Sequence, residues 1–241
     1  MNQRNSIVFF LVLSALGAVF LLGIVFQTLD SASMAVQTEK LVVACFFSLL
    51  CAFGVLFALR PNWLKATLIK KNTIEKNKTN EIKQRFRGHH PDCFVFEHHR
   101  LICGKKTWCA GCFGLLIGCI LSIILMLLYV VVPLRLPLLA ARLWFIFGLF
   151  VIIIVFVESI LPRRYAGTHV MVNVMFIVSF FLITVSVVEL SGDVIYGFYA
   201  MILCVLWLDT RIHLSKWHHS HLCIRCPQSC KIYVTTLIFG K

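Results

Sequence analysis

Phe113–Val132, FGLLIGCILSIILMLLYVVV, decides the class of fold. Twenty residues pass without a charge, and the stretch is apolar on every side whether it is wound as a helix or extended as a strand. A helix on the surface of a soluble domain keeps a polar face, and a barrel strand alternates. This run therefore fits a helix surrounded by hydrocarbon and other helices. Its length agrees, because a hydrocarbon core of roughly 30 Å takes about 20 residues to cross.

Five more segments read the same way: Ile7–Phe26, Leu41–Leu59, Leu143–Leu161, Val170–Val188 and Val194–Leu208. The last is short. It needs Ser191–Asp193 or Asp209–Thr210 near the headgroups, or local thinning. The first has Arg4 before it and Ser31-Ala32-Ser33 after it, as a secretory leader would, but its 20 apolar residues exceed the usual leader core of about 7–15, so a retained helix is expected. Across all 241 residues, 60% are apolar and 14% charged, against about a quarter charged in a soluble domain. That excludes a disordered chain, and with 11 cysteines in so long and apolar a chain it also excludes a small secreted disulfide scaffold. The fold expected is all-α: a six-helix transmembrane bundle carrying small Cys/His elements of zinc-knuckle type.

The net charge of +13 is distributed by topology. With six spans, twenty Lys and Arg fall on one side and only Lys40, Arg135 and Arg142 on the other. Positive residues stay cytoplasmic, so the expectation is a multi-pass cell-membrane protein with both termini in the cytoplasm. The chain then divides into two spans (1–60), a basic cytoplasmic linker (61–88), a Cys/His hairpin (89–112), four spans (113–209) and a Cys/His-rich tail (210–241). The linker basics suit anionic lipid headgroups, at about 1 kcal/mol each near such a surface. Positive-inside charge already accounts for them, which disfavours nucleic acid as a partner.

Chemistry concentrates on that same side. Gly88–Cys112, GHHPDCFVFEHHRLICGKKTWCAGC, holds four His and four Cys. Cys109 and Cys112 form a Cys-x2-Cys pair whose sulfurs can reach one ion, and Cys93 and His99 supply two further donors. Thiolate with imidazole suits tetrahedral zinc. Leu101-Ile102 and Thr107-Trp108 have strand character on either side of Gly104-Lys105-Lys106, so a hairpin is expected to return the chain and bring His99 to Cys109. His90, His98 and Cys103 are rival ligands. In the tail, His221, Cys223, Cys226 and Cys230 have the density for a second zinc site. An iron–sulfur cluster is disfavoured by an incomplete spacing, and one ion shared between loop and tail is also open. Cys45, Cys51, Cys119 and Cys204 sit singly within spans and read as small packing residues. Glu158, Asp209 and His169 lie at cytoplasmic span ends, where local pairing explains them, and Asn173 is the one amide inside a span.

Residues His89–Gly118 resemble a family of archaeal and bacterial membrane proteins that has no assigned reaction. The likeness rests on HHPDC, Phe96-x2-His99, GKKTWCAGC and the FGLLIG that opens the third span. The family pattern is a Cys/His pair, a short glycine-containing hairpin, and Cys-Ala-x-Cys-x-Gly at the start of a transmembrane helix. Phe113 departs from it, standing where the family often has a small hydroxylated residue. The resemblance implies Cys93, His99, Cys109 and Cys112 as the ligand set; the tail lies outside it.

Together these observations point to a non-enzymatic membrane protein with zinc-stabilised cytoplasmic elements, docking a cytoplasmic protein or a second copy of itself. Two other readings of the same residues stay open. One is a thiol–disulfide or quinone-linked redox protein using Cys109 and Cys112. The other is a metal transporter or sensor, against which stands the scarcity of acids and histidines in mid-span.

Overall fold

A computed structural model describes residues 3–27, 37–60, 86–87, 99–103, 106–132, 136–161 and 165–224. Among the described residues six helices carry the fold: α1 (Gln3–Gln27), α2 (Gln37–Leu59), α3 (Ala110–Val131), α4 (Leu138–Ile160), α5 (Ala166–Ser191) and α6 (Val194–Ile224). Each is long and apolar enough to cross a membrane, so the chain is a multi-span membrane protein. Large apolar side chains such as Phe9, Leu16, Phe46, Phe53, Phe150 and Ile153 stay exposed on the outside of the bundle, which only lipid tolerates on this scale.

Five spans match the apolar runs to within a turn or so. The sixth does not. It was expected to end at Leu208, but α6 continues unbroken to Ile224, a rod of about 46 Å at 1.5 Å per residue. No thinning is needed. Thr210 sits inside the helix, its hydroxyl donating to the Leu206 carbonyl at 2.8 Å and pairing with the Ser14 hydroxyl of α1 at 2.8 Å. Trp207 also donates its indole N–H to the Ser14 carbonyl, at 3.4 Å.

The centre of the bundle is α5, which packs against α3 and α4 and also touches α6. Lipid tails are as apolar as leucine, so close packing and hydrogen bonds, rather than escape from water, drive helix association here. Small residues provide the closeness. On α3, Ala110, Gly114, Gly118 and Ser122 recur every four positions, and all are buried. A Cβ on Gly114 would stand 2.6 Å from the Asn173 Cβ and 2.7 Å from the Val170 carbonyl oxygen, and one on Gly118 would stand 3.0 Å from the Ile177 Cβ. Helices α3 and α5 thus run parallel and in step, near backbone contact. From α4, Gly148 approaches Ile183 of α5 in the same manner.

A two-residue turn joins α5 to α6. Gly192 takes a left-handed conformation (φ 64°), which its missing Cβ permits, and its N–H donates to the Val188 carbonyl at 3.0 Å. Asp193 then accepts the Ile195 N–H at 2.8 Å, capping the start of α6.

Outside the bundle lies a small sheet of β1 (Phe86–Arg87), β2 (Arg100–Cys103) and β3 (Lys106–Cys109), in the order β1-β3-β2. Strands β2 and β3 are antiparallel, pairing Arg100 with Cys109 and Cys103 with Lys106. This is the expected hairpin, and β3 passes directly into α3.

Candidate metal centre

Cys109 is both the last residue of β3 and the N-cap of α3, with extended backbone (φ −71°, ψ 125°). Cys112 follows in the first helical turn. The β2–β3 register sets Arg100 opposite Cys109, so His99, the residue before β2, is returned to the mouth of α3. His99 and Cys109 are both buried there.

A third donor comes from elsewhere in the chain. His169, in the first turn of α5, is buried and meets the His99 ring edge-on, with centroids 5.4 Å apart at 79°. Gly111 lies between it and Cys109: a Cβ on Gly111 would stand 3.2 Å from the His169 Nε2 and 3.8 Å from the Cys109 sulfur. Glycine therefore leaves the gap through which imidazole and thiol approach one another. One turn along α5, the Asn173 amide donates to the His169 carbonyl oxygen and stands 3.3 Å from His169 Nδ1.

Of the residues expected from the sequence, Cys109 and Cys112 lie at the start of α3 and His99 stands one residue before the partner of Cys109 in the hairpin. Cys93, Cys226 and Cys230 lie outside the described residues, as do the rivals His90 and His98. His221 and Cys223 fall in the last turn of α6 rather than in a loop. Among the described residues no three His, Cys, Asp or Glu groups form a ready metal-binding set. None of Cys45, Cys51, Cys109, Cys112, Cys119 and Cys204 forms a disulfide. As a donor set, two thiols and two imidazoles around a glycine gap fit zinc chemically. A closed tetrahedron needs the donors drawn closer or one supplied from residues 88–98.

His169 was read from the sequence as a charge at a span border; the structure makes it part of this cluster. The signal for it was the small-residue spacing of α3, which brings α5 into backbone contact at the helix mouth. A second polar cluster was also missed. At the opposite end of the bundle Glu189 of α5 takes an ion pair from Lys40 of α2 and a hydrogen bond of 2.5 Å from the Tyr129 hydroxyl of α3. Lys40 lies 5.2 Å over the Tyr129 ring. Near the hairpin end, Arg211 stacks over Phe176 at 5.4 Å, and Asp209 lies 3.7 Å from His213. Compared with known proteins, the chain matches no family model, no curated protein and no solved structure.

Proposed function

We propose that the mouth of α3 is a structural zinc site, held by Cys109, Cys112 and His99 with Cys93 as the fourth donor. It clamps the β2–β3 hairpin onto the bundle and presents it for docking to a cytoplasmic protein or a second copy. The observation that supports this most is the return of His99 toward Cys109 by the hairpin register, with His169 against the His99 ring. The resemblance of residues 89–118 favours the same four ligands. Zinc, when bound, would supply a rigid tetrahedral tie rather than a reaction. The anionic sulfurs would sit at the positive end of the α3 dipole, which favours negative charge. The excess of basic residues favours a cytoplasmic position for this face, beside anionic lipid. Metal analysis of protein purified anaerobically tests the reading. About one zinc per chain is expected, or about two if the His221–Cys230 tail binds its own, with the first lost in Cys109→Ser and Cys93→Ser. Metal-free wild-type protein refutes it.

One observation favours a second reading. His169 Nε2 stands against Gly111 beside Cys109, a thiol at a helix start with a second thiol in the same turn. That is an arrangement for a Cys109/Cys112 redox couple. Alkylation of Cys109 distinguishes the two. If zinc holds it, labelling begins only after chelation; if it is a redox thiol, the chelator changes nothing.

A further inference from the structure

Cys51 and Cys119, expected to sit singly, instead face each other across the α2–α3 interface. Their thiols share a hydrogen bond, and both side chains are buried. Gly54, one turn beyond Cys51 on α2, admits the second sulfur: a Cβ there would stand 2.7 Å from the Cys119 Sγ. Cys51 lies eight residues before the end of α2 and Cys119 nine after the start of α3. At 1.5 Å per residue both are about 12–14 Å from the hairpin face, close to the middle of the hydrocarbon core.

We propose that Cys51 and Cys119 form a binding site inside the bilayer for a soft monovalent metal ion of the copper(I) class. Softness selects it first, because every donor at the site is sulfur and hard ions need oxygen. Coordination number selects it next. Zinc closes its shell with four ligands, and no third His, Cys, Asp or Glu stands close enough to complete a set among the described residues. Copper(I) is satisfied by two sulfurs in line. Charge agrees as well. The ion displaces the proton shared by the two thiols: two S–H groups and Cu⁺ give one thiolate and one thiol bound to the metal, and one H⁺ leaves. The site stays neutral in a medium where an uncompensated charge is costly.

The ion also has stepping stones. Cys112, Cys119 and Met126 recur every seven residues on α3, a spacing that keeps side chains on nearly one stripe of a helix. Cys112 is half-buried at the mouth, and Cys119 and Met126 are buried below it. Thiols and a thioether thus descend from the hairpin face past the paired site. The Cys51–Cys119 pair shares no residue with the proposed zinc site, and the two fail independently.

The full-length protein in lipid nanodiscs is titrated anaerobically with copper(I) under a competing chelator, reading ions bound per chain and the thiolate-to-copper charge-transfer band. Cys51→Ser and Cys119→Ser are each expected to lose one ion, or to weaken its binding by at least about tenfold, while lipid-facing Cys45→Ser keeps it. Unchanged copper binding in both Cys51→Ser and Cys119→Ser overturns the proposal. Wild-type protein gives a readout independent of variant folding: copper(I) should block labelling of Cys51 and Cys119 by a membrane-permeant maleimide. Undiminished labelling at saturating copper overturns the proposal, as does a Cys51–Cys119 disulfide in protein purified anaerobically.

Discussion

Replacing Glu189 by glutamine removes the one carboxylate on which α2, α3 and α5 meet. In the native structure the Lys40 ammonium and the Tyr129 hydroxyl both donate to Glu189 Oε1, and the Lys40 and Glu189 side chains are each only 12% exposed. Nearby, the Gln37 amide donates to the Val130 carbonyl at 3.0 Å, tying α2 to the end of α3 a second time. With the carboxylate neutralised, a largely buried ammonium loses its counter-charge and keeps the neutral glutamine carbonyl and the Tyr129 ring, 5.2 Å away. Breaking a buried pair from one side costs about 3–5 kcal/mol. The remaining cation–π contact returns about 0.5–2 kcal/mol, and the lysine stem can carry its charge toward the headgroups. Glu189→Gln is therefore expected to cost about 2–3 kcal/mol. Lys40→Met combined with Glu189→Gln leaves no orphaned charge and should lie within about 1 kcal/mol of wild type. Equilibrium unfolding of the four proteins in one detergent, read as a double-mutant cycle, measures the coupling. A Glu189→Gln cost below about 0.5 kcal/mol, or a double variant no better than the sum of its singles, refutes the reasoning.

Three other outcomes are expected. Gly114→Val drives a side chain into Asn173 and the Val170 carbonyl and should cost about 1–3 kcal/mol in the same unfolding assay, whereas Gly23→Ala, where a Cβ meets nothing within 4 Å, should stay within about 0.5 kcal/mol of wild type. His99→Ala removes a proposed ligand, and zinc affinity at the α3 mouth, read by chelator competition, should fall by about tenfold or more; an unchanged affinity would detach His99 from the site. Single cysteines placed near position 5 and at Gly192, in a chain otherwise free of reactive thiols, should label from opposite sides of sealed inverted vesicles, position 5 from the cytoplasmic side; labelling of both from one side contradicts the alternating topology.

The spans were legible because charge-free runs of about twenty residues have one structural solution in a membrane protein. Their ends were less so. Asp209, Thr210 and Arg211 read as a boundary, yet a helix can run on into polar sequence when hydroxyls such as Thr210 bond back onto it, and α6 does. The hairpin was legible because it is local: two short strands, adjacent in sequence, pair Arg100 with Cys109 and Cys103 with Lys106. What joins His99 and Cys109 to His169 was not, since helices apolar all round give no direction for their neighbours. Only the four-residue spacing of Ala110, Gly114, Gly118 and Ser122 marked the face of α3 that receives α5. No spacing in the sequence announces Cys51 beside Cys119, because that contact joins two helices about seventy residues apart and depends on Gly54 being small.

The central place of α5 also sets an order of assembly. The ribosome delivers helices from the N-terminus, so α1 to α4 are made before the helix they surround. Between the last residue of α3 and the last of α5 lie sixty positions, about 3–12 s of synthesis. During that interval the glycine-lined face of α3 and Gly148 of α4 must rest against lipid or the insertion machinery. Asn173, Ser179, Thr184 and Ser186 then enter a membrane that already holds the neighbours they will be buried among. Nascent chains stopped before Ala166 would therefore hold α3 and α4 without the helix that both of them pack against.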